Sequence, residues 1–467
     1  MDCCSRRRFI GAGASALVMS SIPVVSVARS PNHARRVLLH GVRVVDVERA
    51  TTTPLVDILC DGDRIVRVGR DLRAGEARVI AGRGAYAAPG LWDMHVHLSD
   101  MTAADVEQRV VPALLASGVL GVRDMGGDHL VLSRVVKDLR ARGHGPAIVM
   151  AGPFVDGPKP GAGGRITVRD PRDAERAVLE VQGRGAHFVK THNALSKDAF
   201  IAVVAAAHRL RLPVAVHLAL SVTATDAANA GIASFEHTET LMQSMLLEQG
   251  LQAPTPTQII AALRAFASGG ASPVFARFAA SGVRYVPTLV EYRAFVDENS
   301  AAALADGRQA GTPPSLRVFW DRNFPLAPVS DQRRTTRREA LGFFQQLVAM
   351  ASSAGVRMMA GTDLGVRDVF PGASLHDELR LLAASGMSTR DVLRAAMIEP
   401  VHFLGLQSRA GAIRAGMAAD AVLTADNPLD DLETLRKPLA VITRGTFYGI
   451  RRNGTIGTAL DPNVTSL

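Results

Sequence analysis

Two rhythms of apolar and polar positions alternate along the chain. Between residues 89 and 400, short apolar runs ending in polar or glycine residues are each followed by segments with apolar positions three and four apart. The runs are LWDMHVH (91–97), VLGVRDM (119–125), AIVMAGP (147–153), HFVKTH (187–192), PVAVHL (213–218), ASFEHT (233–238), RYVPTL (284–289) and RMMAGTD (357–363). Segments such as DPRDAERAVLEVQGRG (170–185) and SKDAFIAVVAAAHRLR (196–211) carry the helical spacing between them. Eight strand–helix units predict a closed parallel (β/α)8 TIM barrel. An open doubly wound sheet is disfavoured, because no dinucleotide fingerprint follows the first strand.

The flanks have a different rhythm. RVLLHGVRVVDV (36–47), VDILCDGDRIVRVG (56–69) and ARVIAG (77–82) are β-type runs separated by turns such as Asp61-Gly62-Asp63. DAVLTADNP (420–428) and AVITRGTFYGI (440–450) repeat the pattern at the far end. Residues 29–88 and 401–467 are therefore expected to form one small β-rich domain, with the barrel of residues 89–400 inserted between its parts. Segments 241–281 and 290–345 overrun the rhythm and are expected over the carboxyl end of the barrel, where lids and specificity loops lie.

Residues 1–28 do not belong to either rhythm. Arg6, Arg7 and Arg8 precede an apolar stretch from Phe9 to Val25, followed by the small residues Ser26 and Ala28. That order is an export leader, with cleavage expected after Ala28. Ser5-Arg6-Arg7-x-Phe9-Ile10 resembles a twin-arginine signal, which implies a periplasmic or extracellular protein exported already folded. The apolar stretch is short and weakly hydrophobic for a membrane span, so no stable membrane insertion is expected once the leader is removed. Cys3 and Cys4 would leave with it, and Cys60 alone could form no internal disulfide.

Composition removes further classes. With 47% hydrophobic residues the chain is too apolar for disorder. The net charge is +9, but aromatics are only 5% and no basic run is interleaved with them, so no nucleic-acid partner is expected.

Position along each strand now matters, because barrel active sites form at the strands' carboxyl ends. His95 and His97 end the first run, and their two-residue spacing places both on one face. Lys190 ends the fourth, His217 the fifth, His237 the sixth and Asp363 the eighth. A lone strand histidine is usually a hydrogen-bonded core or surface residue, the reading given to His33, His40, His129, His144, His208 and His402. Five strands supplying a metal-capable residue at the same end point instead to a metal centre.

These residues carry a resemblance. GLWDMHVH, a fourth-strand lysine, two single histidines and the eighth-strand aspartate resemble the metal-dependent amidohydrolase superfamily across almost all of residues 36–450. GVRDMGG, SFEHT, AGTDLG and GMAADAVLTADNPL resemble its imidazolonepropionase-related branch, which includes Xaa-Pro dipeptidases and ochratoxin-type amidases. The resemblance implies two divalent metal ions, usually zinc. His95, His97 and Asp363 would hold the more buried ion, His217 and His237 the more exposed one, and Lys190 would bridge them as a carbamate made from carbon dioxide. A metal-bridging hydroxide would attack the substrate carbonyl, and Asp363 would move the proton to the leaving amine.

The implied substrate is a small amide, either a dipeptide or an N-acyl amino acid. The same centre could act on a cyclic amide, lactone, carbamate or phosphoester, and a non-catalytic binding protein is a third reading. A homo-oligomer is common among relatives. His192 is either a loop residue or a support of the site, and Tyr292 either packs or contacts substrate. Arg165, where relatives often carry a histidine, and Arg293 could receive a substrate carboxylate. Arg123-Asp124 could form a buried ion pair supporting the site, or be simply structural.

Overall fold

A computed structural model describes residues 36–143, 145–159, 164–451 and 454–458. The expected leader, His33 and His144 lie outside the described residues. The barrel strands are β1 (Leu91–Val96), β2 (Val119–Asp124), β3 (Ala147–Met150), β4 (Val189–Thr191), β5 (Val214–Val216), β6 (Ser234–Glu236), β7 (Arg284–Val286) and β8 (Arg357–Met358). β1 to β3 pair in parallel, as do β4 to β8. Two sets of contacts join these groups. His187 N donates to Met150 O at 2.9 Å between β3 and β4, while Met94 N donates to Ala360 O at 2.9 Å between β1 and β8. Val96 also bridges Leu364 in parallel. Strand order thus follows sequence order through both seams, in the arrangement of a (β/α)8 barrel.

Burial explains the continuous apolar runs. All six residues of β1 and all six of β2 are buried, as strands covered on both faces require. The helices cover the outer face with one stripe each. In Lys197–Arg209 the buried positions are Ala199, Phe200, Val203, Val204, Ala206 and Ala207, and Ser196 caps the start by accepting from Ala199 N.

The glycine-rich stretch DGPKPGAGGRITV is not wholly loop. Phe154–Asp156 and Arg165–Thr167 form two short parallel strands, and Val155 also pairs with Thr191. Only Ile166 is buried in the second strand, too little to register as a β run.

The overrunning segments divide in their roles. After β6, helices Pro256–Ala265 and Ser272–Ser281 pack against the long helix Asp331–Ser353, within the outer helical layer. That part of 241–281 corrects the expected cover over the mouth. Helix Pro314–Asn323, from the 290–345 segment, docks on the loop after β8: Trp320 Nε1 donates to Gly365 O at 2.9 Å, and Arg367 Nε donates to Phe324 O at 2.6 Å.

Both chain ends meet in one ten-stranded sheet. Tyr86–Ala88 lies at its centre, pairing in parallel with Val37–Asp46 and antiparallel with Ala421–Thr424. Cys60 is buried in this domain and free. Among the described residues no single helix is long and apolar enough to cross a membrane.

Candidate metal centre

His95 is fully buried at the end of β1, and its Nδ1 lies 3.0 Å from Glu236 Oε2. His97 follows, with Nδ1 3.2 Å from the Gly126 carbonyl oxygen. Ionised carboxylate and carbonyl oxygens only accept, so both Nδ1 atoms carry the hydrogen and each neutral ring presents an Nε2 lone pair. Those two Nε2 atoms approach Asp363 Oδ1 at 3.3 and 3.0 Å. Three acceptors therefore converge, an arrangement stable only with a cation among them. In the metal-free chain a proton serves: burial pulls His97 down, but Asp363, with Asp100 and Asp124, offsets it and lifts the imidazole to about 9. Burial likewise pushes Asp363 up, yet the surrounding histidines, His95 first, hold it well below the carboxylate range.

Lys190 lies within β4 with 1% of its surface exposed, and its Nζ has no hydrogen-bond partner. Burial lowers its pKa to about 8, although Glu236 and Asp363 pull the other way. The result is an amine readily deprotonated near neutral pH. His217 and His237 complete the group, with ring centroids 4.9 Å apart, and the His237 ring lies 4.4 Å from that of His95. Burial is the main cause holding His217 well below the ordinary imidazole range, helped by neighbouring cationic groups. The structure thus brings His95, His97, Lys190, His217, His237 and Asp363 to one end of the barrel.

Backbone geometry is also unusual at this end. His237, Thr288 and Asp363 adopt φ values of 67°, 48° and 58° just past β6, β7 and β8. Left-handed conformations in non-glycine residues cost roughly 1–3 kcal/mol each and collect at functional sites. Gly361 permits the close approach of the chain after β8 to β1: a Cβ there would lie 2.9 Å from His95 Cβ and 2.7 Å from Val286 Cγ1.

The support beneath the ligands differs from the expected Arg123–Asp124 pair. Arg123 instead holds Glu236, with Nη2 2.8 Å from both carboxylate oxygens, and also donates to Met94 O and Ser234 Oγ. Asp124 faces the other way and accepts from Ser99 and Gly126 N. Adjacent strand residues point to opposite faces, so Arg123 and Asp124 could not share one partner set. Arg123 and Glu236 are both fully buried. Glu236→Gln is therefore expected to destabilise the protein by about 3–5 kcal/mol, because it strands a buried guanidinium. Denaturant unfolding of the metal-free variant checks this; an unchanged midpoint contradicts it.

The secondary candidates have specific places. His192 stacks on His217 at 4.4 Å with a 9° interplanar angle, and its Nδ1 lies 3.8 Å from Asp156 Oδ2. Arg165 pairs with buried Asp156 and lies over the Phe154 ring, which also neighbours His97 and His192. Tyr292 is partly buried and packs on Phe344 at 4.6 Å, the packing alternative for this residue. Arg293 pairs with Asp297 and lines a separate 430 Å³ cavity with Arg308 and Asp377. The sequence reading missed three acidic residues beside the ligands: Glu236, Glu291 and Glu239. Glu291 and His237 lie within ligand range of Asp363. Burial, and Glu291 nearby, push Glu239 up to about 8.

Residues 86–448 match the Amidohydrolase family. The chain belongs to that family. Its name denotes hydrolysis of amide-type carbon–nitrogen bonds, and its members generally use divalent metals. A dihydroorotase from Streptococcus thermophilus is 36% identical over 80 residues, 17% of this chain and 19% of that protein, so the match spans about a fifth of that curated relative. Among solved structures, a Xaa-Pro dipeptidase with bound methionine superposes with a TM-score of 0.64 at 21% identity, covering 89% of this chain and 100% of that one. An A. niger ochratoxinase gives 0.63 at 17% identity, covering 88% and 96%. At these identities the two structures attest the shared fold.

Proposed function

We propose that this amidohydrolase is a binuclear metalloenzyme that hydrolyses the amide C–N bond of a small dipeptide or N-acyl amino acid, including ochratoxin-like amides. The observation that carries the reading is the convergence of buried, unpartnered His95 Nε2, Lys190 Nζ and Asp363 Oδ1 at the carboxyl end of the barrel. Buried polar atoms without partners are rare in folded proteins, and these have the donor chemistry of a divalent-ion site.

The residues fit two ions. His95, His97 and Asp363 would hold one, and His217 and His237 the other. Lys190 would become an anion by forming an N–C bond to carbon dioxide with release of a proton. Bound ions, zinc being the usual one for imidazole and carboxylate donors, supply an activated water and a polarised carbonyl. Asp363, held ionised by its imidazole neighbours, would accept the water's proton and return it to the departing amine. The products are a carboxylate and an amine.

Arg165 is proposed to receive a substrate carboxylate, with His192 against the same Phe154 ring. Only 15% of the Arg165 side chain is exposed, and its guanidinium lies over the Phe154 ring, which neighbours His97. The resemblance to a dipeptidase and an ochratoxinase supports this substrate class. Export by a twin-arginine route is part of the proposal and rests on Ser5-Arg6-Arg7-x-Phe9-Ile10. Cell fractionation tests it, and a mature chain retaining Met1 in the cytosol would count against it.

The direct experiment compares zinc-loaded and chelator-treated protein on dipeptides, N-acyl amino acids, cyclic amides, lactones and phosphoesters. The expected result is amide cleavage that chelation abolishes and zinc restores. Turnover confined to lactones or phosphoesters would move the assignment to another bond, and activity indifferent to chelation would remove the metal from it.

A further inference from the structure

We infer that Glu291 is a positioning residue: it selects which nitrogen of His237 faces the metal centre, and so governs the affinity of one ion separately from the other. The inference rests on the metal reading proposed above. Glu291 is 5% exposed and sits in the first turn of the helix Leu289–Asp297, outside the strand-end ligand set. Its Oε2 lies 2.9 Å from His237 Nδ1 and accepts from Thr288 Oγ1 at 2.8 Å. A carboxylate only accepts, so Nδ1 must carry the hydrogen and Nε2 the lone pair.

A second, independent carboxylate does the same for another strand. Glu236 accepts from His95 Nδ1 and is itself clamped by Arg123, without contact to Thr288 or Glu291 in the hydrogen-bond pattern. The two imidazoles belong to different halves of the proposed ion pair. Their supports are therefore separable, which a generally structural acidic cluster would not be.

The position of Glu291 is fixed at considerable backbone cost. Thr288 holds φ 48°, an uncommon conformation for a β-branched residue, and there its hydroxyl lies 2.9 Å from His237 Nδ1. Val290 N donates to Glu378 Oε2 at 2.8 Å, anchoring the start of the helix. Arg334 donates to Val296 O and Glu298 O at its other end. Glu291 and Asp363 each come within ligand range of His237, so Glu291 as a direct ligand is the competing assignment.

Stepwise zinc titration of metal-free protein, with stoichiometry from elemental analysis, separates these assignments. Glu291→Met keeps the side-chain length but removes the acceptor, whereas Glu291→Gln keeps an acceptor oxygen for His237 Nδ1. The Met variant is expected to bind one of two ions about 10- to 100-fold more weakly, the usual effect of losing such a partner, with the other ion unchanged. The Gln variant is expected to bind both as the wild type does. Melting of the metal-free proteins checks folding; if the Met variant does not fold, Thr288→Val is expected to weaken the same single step. Equal weakening in Gln and Met makes Glu291 a direct ligand and overturns the inference. So does wild-type binding by the Met variant, or equal weakening of both ions. Wild-type protein that takes up no zinc would instead remove the metal reading itself.

Discussion

Lys190→Ala is expected to lower amide hydrolysis by about 10³-fold or more, equivalent to roughly 4 kcal/mol of barrier, and to leave the protein unable to retain two ions. Lys190 lies among the imidazoles at 1% exposure, and its Nζ has no hydrogen-bond partner. Burial disfavours an ammonium there more than Glu236 and Asp363 favour it. A carbamate would give the site the negative charge that two divalent ions require. Alanine supplies neither charge nor ligand. Activity and zinc stoichiometry of the variant check this, and a variant that keeps both would show that Lys190 is only a buried amine.

Asp363→Asn should lower turnover by about 10²- to 10⁴-fold, the range for loss of a positioned general base. Asparagine has nearly the same shape but cannot take up the proton. A second readout follows from the metal-free site. Asp363 contributes most to offsetting burial and holding His97 near 9, with Asp100 and Asp124 adding to it, so removing its charge is expected to lower that pKa toward the ordinary imidazole value. Histidine NMR titration of metal-free protein measures the shift. An unmoved His97, or full turnover in the variant, contradicts the role assigned to Asp363.

The barrel was legible because its strands are buried on both faces and so appear as continuous apolar runs, as in VLGVRD. The metal-capable residues were legible by register: each sits at the end of a run. The supports were not. Glu236 adjoins His237 in the sequence, but its partners Arg123 and His95 lie on β2 and β1, and only barrel closure brings them together. Glu291 opens a helix where an acidic residue is ordinarily read as favouring the helix N-terminus. Its contact with His237 depends on the left-handed turn at Thr288, which no propensity would suggest. Arg123-Asp124 misled for the opposite reason, since sequence neighbours on a strand face apart. The strand Arg165–Thr167 escaped because a single buried residue makes no pattern.

The most direct test of the account is the metal content of purified wild-type protein, measured by elemental analysis after dialysis against metal-free buffer and saturation with zinc. About two ions per chain are expected, with hydrolytic activity rising as the sites fill. A chain that binds no zinc, or is fully active with one ion, would contradict the two-ion centre built from His95, His97, Lys190, His217, His237 and Asp363.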